Sequence, residues 1–71
     1  MIKFVEKYVP KEDEFKILIK AGLSYILIHQ WRIGISKPNT LTIIYLCMAI
    51  AQEYGHDYNK IVIEALWSAT Q

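Results

Sequence analysis

Little in this sequence ties the chain together covalently or divides it into parts. Its 71 residues include one cysteine, Cys47, so no internal disulfide can form, and none is needed in a reducing compartment. Glycine occurs three times and proline twice, and these few breakers fall where helices are predicted to stop. There are no internal repeats, no low-complexity tracts and no linker long enough to separate two domains. The longest mostly apolar run, residues 41–51, is about half of what a helical membrane span requires. Charges at Lys3, Glu6, Lys7 and Lys11 interrupt the start of the chain, so it has no apolar signal core. His29 and His56 have no cysteine or carboxylate set at ligand spacing, which argues against a metal site. No serine, cysteine or carboxylate is paired with a base in a recognisable motif, which argues against an enzyme. The expectation is a cytoplasmic protein translated at this size. It needs no cofactor and no metal, acts on no small-molecule substrate and does not enter a membrane.

What the chain does have is apolar surface. The hydrophobic fraction is 54%, which excludes a disordered chain. A 71-residue domain folds alone only with a dense core. Even so, this fraction exceeds what so small an interior can hide, so part of it is expected at a subunit interface. The net charge is +1, which decides nothing about a polyanionic partner. Its distribution says more. Residues 15–38 carry Lys16, Lys20, Arg32 and Lys37 and no acid, whereas residues 40–71 carry Lys60 against Glu53, Asp57 and Glu64. One end reads as basic and the other as mildly acidic, an asymmetry that would orient the molecule on a polyanion.

The periodicity is helical throughout. Ile2, Val5 and Val9, with Phe4 and Tyr8, predict a first helix that ends at Pro10, because proline disfavours the helical state in the residue before it. A second helix is predicted from Lys11 to Ala21. Glu12, Asp13 and Glu14 stand near its N-terminus, where the helix dipole favours acids, and Phe15, Ile17, Leu18 and Ile19 face inward. Gly22 can take a left-handed conformation and end this helix abruptly. Leu23 then drops into the angle between two helices, and Ser24 caps a third, about residues 25–33. Ile28 and Trp31 point to one face of that helix, which stops at Gly34. After the loop 35–38, Asn39 or Thr40 caps a fourth helix, about residues 40–54. It carries two apolar stripes, Ile43, Leu46, Cys47 and Ile50 against Leu41, Ile44, Tyr45 and Met48, as expected of a helix sandwiched between neighbours. Cys47 reads as a small core residue. Gly55 ends this helix and Asp57 caps a fifth, about residues 58–69. Its inward stripe is Tyr58, Ile61, Val62, Ala65 and Leu66. Ile63 and Trp67 sit on a different shoulder. A tryptophan beside a branched aliphatic is typical of an interface centre, so these two are candidates for a dimer interface. The alternative is that Trp67 closes the core against the first helix.

The fold class implied is all-α, a compact bundle of four to five helices in a single domain over residues 1–71. The stretch AGLSYILIHQWRIG, the following SKPNTLTII and then LCMAI resemble the lambda-repressor-like helix-turn-helix family of bacterial and phage regulators, in its compact Cro-type form. The resemblance covers a little over half the chain, about residues 15–51. Gly22 matches the glycine of the turn, Ile28 and Trp31 the positions that lock the recognition helix to the core, and Gly34 and Pro38 the run that follows. The family implies that the third helix enters a DNA major groove. By family position the base-contacting candidates are Ser24, Tyr25, Ile26, His29, Gln30 and Ile33. Gln30 is suited to an adenine edge, and Tyr25 and Ile26 to thymine methyl groups. Lys20, Arg32 and Lys37 would meet phosphates, which position the protein without reading sequence. The implied partners are double-stranded DNA and a second copy of the chain, in a repressor-like regulator. The alternative is a protein-interaction adaptor or anti-repressor on the same scaffold, using Tyr25, Ile26 and Leu27 as an apolar contact.

Overall fold

Pro10 and the three glycines partition residues 2–69, which the computed structural model describes. Helix α1 spans Ile2–Tyr8, α2 Glu14–Lys20, α3 Tyr25–Arg32, α4 Thr40–Tyr54 and α5 Tyr58–Ala69. There is no strand among the described residues. The all-α expectation therefore holds. No described helix is long and apolar enough to cross a membrane.

The second helix departs from its predicted form. Residues Lys11–Asp13 make a 3-10 turn, closed by the Asp13 N–H on the Pro10 carbonyl at 2.9 Å, and the α-helix begins only at Glu14. Such turns are common where an α-helix starts. The Asp13 carboxylate caps nothing. It accepts the Tyr54 hydroxyl at 2.9 Å instead, which draws the start of α2 toward the end of α4. Phe15 and Ile19, expected inside, are 41% and 40% exposed. A short helix buries one stripe, and here that stripe is Glu14, Ile17, Leu18 and Ala21, at i, i+3, i+4 and i+7. Phe15 and Ile19 form the next row round the helix.

α4 is capped as the sequence predicts, with the Asn39 Oδ1 accepting the Thr42 N–H at 2.8 Å. Its first stripe is buried. The expectation that the second stripe is sandwiched fails, because Leu41, Tyr45 and Met48 are exposed and Ile44 is only half-buried. α2 and α5 pack against the inner and lateral sides of α4, and no described element covers the outer side. α5 begins with the Asn59 N–H on the Asp57 Oδ1 at 3.0 Å and buries Ile61 and Ala65. Leu66, expected inside, lies at the edge of that stripe and is exposed. Trp67 is exposed too, so it does not close the core against α1. α1 contacts α5 and buries Phe4 and Val5, and its Lys7 bonds Glu64 of α5 at 2.8 Å.

The buried apolar residues form one cluster to which every helix contributes. The radius of gyration is 10.9 Å, close to the value of about 11 Å that a single close-packed domain of this length should have. Cys47 lies inside this cluster, and burial pushes its thiol up to about 11, so at neutral pH it behaves as a small apolar side chain.

Candidate functional site

The junction of α2 and α3 is built by local geometry. Gly22 takes φ +95°, a left-handed conformation that a Cβ disfavours. Its N–H bonds the Ile19 carbonyl at 2.9 Å, and the Leu23 N–H reaches back to the Leu18 carbonyl at 3.1 Å. These two bonds satisfy carbonyls that the end of α2 would otherwise leave open. Leu23 and Leu18, which such a stop brings together, are both buried. Ser24 is extended, and its hydroxyl accepts the Leu27 N–H at 3.2 Å, which starts α3 in a defined direction.

α3 then has two unlike sides. Ile28 and Trp31 are buried in the core. Tyr25, Ile26, His29, Gln30 and Ile33 fall within less than half a turn of the helical wheel, on the opposite side. Tyr25 and Ile26 are 71% and 69% exposed, and Ile33 is exposed as well. His29 is exposed and Gln30 half-buried. Five of the six base-contact candidates thus share one outward face. Ser24 stands at its start with its hydroxyl engaged in the cap. The sequence reading missed what supports this face. The Phe15 ring packs on Tyr25 at 4.8 Å between centroids, and Ile19 and the exposed Ile35 extend the apolar area. The 15/19 spacing outside the buried row of α2 was the available signal.

The phosphate candidates fare differently. Arg32 is bonded to Glu14, a carboxylate whose side chain is only 6% exposed. Lys20 is bonded to Glu53 at 3.2 Å, and Lys16 shares the same carboxylate at 3.1 Å. These two hydrogen bonds hold the Glu53 carboxyl below its ordinary value and hold Lys16 above its own. Among the described residues, Lys37 has no carboxylate partner. The basic end expected from residues 15–38 is therefore reduced rather than removed: two carboxylates meet three of its four cations. Folding brings Glu14 and Glu53, which flank that segment in sequence, onto three of its four cations. A cleft of about 400 Å³ lies beside the Arg32–Glu14 pair. It is lined by Glu6, Val9, Lys11, Glu14 and Arg32, two acids against two bases, so it favours neither sign of ion.

Chemically, the outward face of α3 offers two polar heads, His29 and Gln30, set among apolar side chains, with one unpaired cation on the adjoining loop. It can hydrogen-bond a polar edge and pack on methyl groups or an apolar surface. It holds no nucleophile–base pair. No protein-family model, no curated protein and no solved structure matches this chain.

Proposed function

We propose that this chain is a small sequence-specific DNA-binding regulator, a helix-turn-helix protein that sets α3 into the major groove and acts as a dimer. The observation that supports this reading most is the division of α3. Its inner side is anchored by Ile28 and Trp31, while Tyr25, Ile26, His29, Gln30 and Ile33 face outward together. A helix held along one side and open along the other is what entry into a groove demands. Gln30 and His29 would bond base edges, Tyr25 and Ile26 would meet thymine methyl groups, and Lys37 would contribute a phosphate contact. Lys20 and Arg32 would have to share their donors with Glu53 and Glu14. Ile63 and Trp67, both exposed, would contribute to the dimer contact.

Selection of bound duplexes from a random pool tests this. The expected result is an enriched, near-palindromic sequence with half-sites about one helical turn apart. Failure to enrich any sequence at low ionic strength, where phosphate contacts are strongest, overturns the reading.

A second reading is favoured by two observations. Three of the four cations in residues 15–38 are already paired, and the outward face of α3 is dominated by large apolar side chains. On this reading the face contacts another protein, through Tyr25, Ile26 and Leu27. Gln30→Ala and Lys37→Ala would then leave function intact, whereas Ile26→Asp would abolish it.

A further inference from the structure

Both sides of α4 are written as buried sides, yet the fold covers one. Leu41, Tyr45 and Met48 recur at i, i+4 and i+7, opposite the buried Ile43, Leu46, Cys47 and Ile50. On α5, Ile63, Leu66 and Trp67 likewise stand outward from Ile61 and Ala65. The two helices are joined by residues 55–57 and pack on each other more than any other pair. The Cys47 Sγ lies 3.8 Å from the Ile61 carbonyl, which marks the side of α4 that faces α5. Glu64, bonded to Lys7, marks the side of α5 that faces α1. Leu66, two residues on, falls on the opposite flank of α5 and is the least exposed of the three, at 40%. The outward rows therefore adjoin and make one surface. Its charged and polar neighbours lie round the edge: Gln52, Asn59 and Lys60 nearest the turn, Asn39 and Thr40 before Leu41, and the Lys7–Glu64 pair beside Ile63 and Trp67.

We propose that this surface, Leu41, Tyr45 and Met48 of α4 with Ile63, Leu66 and Trp67 of α5, is where a second copy of this chain docks. The proposal deepens the dimer of the reading above, extending the contact from two residues of α5 to a face of two helices. Its size fits. The six side chains are 40–69% exposed, which leaves roughly 700 Å² of surface, against about 800 Å² per partner in a stable interface. Its chemistry fits as well. A two-fold contact sets a surface against itself, and a face whose six main residues carry no charge does this without placing like charges together. A partner chosen by charge would find little there to recognise, since the charges stand only at its edge.

Analytical ultracentrifugation of the full chain without DNA, from micromolar to several hundred micromolar, tests this. The expected result is a concentration-dependent dimer. Tyr45→Glu and Ile63→Glu should each weaken association roughly 30-fold or more, the effect of losing a central contact, with helical circular dichroism retained. Met48→Lys and Leu66→Ser serve alongside, should either glutamate variant fail to fold. Ile26→Glu, on α3, should leave the dimer unchanged. A wild-type chain that stays monomeric overturns the proposal and leaves the surface to a different protein. Loss of the dimer in Ile26→Glu overturns it too, by moving the contact to α3. A dimer that enriches no DNA keeps this inference and removes the regulator reading, whereas a monomer that enriches DNA removes this inference and keeps only the DNA-binding part of that reading.

Discussion

Two faces of this molecule expose large apolar side chains, and they differ in what lies among those side chains. On α3, Tyr25, Ile26 and Ile33 surround His29 and Gln30. Ion pairs flank the face at Arg32 and Lys20. On α4 and α5, Leu41, Tyr45, Met48, Ile63, Leu66 and Trp67 adjoin with polar groups only round their edge. Exposed hydrophobicity alone does not distinguish the two. A surface that must be read in water needs hydrogen-bonding heads held between apolar contacts, and the α3 face has them. A surface that must match a copy of itself does best with none, and the α4–α5 face approaches that.

The largest effect that would sharpen this contrast lies at the edge of the α3 face. Arg32→Ala strands the buried Glu14 carboxylate and should lower stability by about 3 kcal/mol, the low end for a broken buried pair because Arg32 is itself half exposed. Glu14→Gln combined with Arg32→Ala should recover part of that loss, as read from urea unfolding midpoints. A loss of DNA binding in Arg32→Ala alone is therefore no evidence of a phosphate contact. Gln30→Ala comes next. It should cost about 2 kcal/mol of discrimination at one base position and leave both the dimer and the fold intact. Equal affinity of the variant and the wild-type protein for the selected duplex and for its single-base variants would break the contrast in favour of a protein contact. Lys37→Ala should lower affinity for all duplexes alike and reduce the salt dependence by about one phosphate contact.

A smaller effect is expected at the turn that aims α3. Nothing lies within 4 Å of a Cβ built on Gly22, but its φ is +95°, so Gly22→Ala should cost about 1 kcal/mol from backbone strain alone. A cost several times larger would mean that the turn is packed more tightly than the structure shows. The smallest effect is with pH. Lys16 and Lys20 hold the Glu53 carboxyl below its ordinary value, and Lys7 does the same for Glu64. A lowered folded value means that the stability from these pairs is present above about pH 4.3, the ordinary glutamate value. It is lost as pH falls through the lower folded values. The pairs are solvent-exposed, so the drop in melting temperature on acidification should be modest and should shrink in high salt. Glu53→Gln should remove its share.

Much of the backbone was legible in the residues. Gly22, Gly34 and Gly55 mark three helix ends, and Ser24, Asn39 and Asp57 mark three starts. The buried stripe of α4 follows from spacing alone. The site was legible in part. The spacing of Tyr25, Ile26, His29, Gln30 and Ile33 puts them on one side of a helix, and the structure exposes that side. The charges were not legible. The carboxylates that pair with three of the four cations of residues 15–38 lie just before that segment, at Glu14, and well after it, at Glu53, so a count along the chain cannot see them. Phe15 and Ile19 were misplaced because this short helix buries a single stripe, Glu14, Ile17, Leu18 and Ala21, and periodicity alone also allows the stripe beside it.

The residues by themselves determined where most of the helices begin and end, the start of α2 excepted, because caps and left-handed turns act through bonds that span at most six residues, such as Ser36 to Gln30, Leu23 to Leu18 and Leu27 to Ser24. Only the tertiary structure decided which of the two apolar stripes on α4 is covered, and which cations meet a carboxylate. Those outcomes depend on residues 18 to 57 positions apart, as in Arg32 with Glu14 and Lys7 with Glu64. Burial and ion pairing follow distance in space, and packing the helices is what sets that distance.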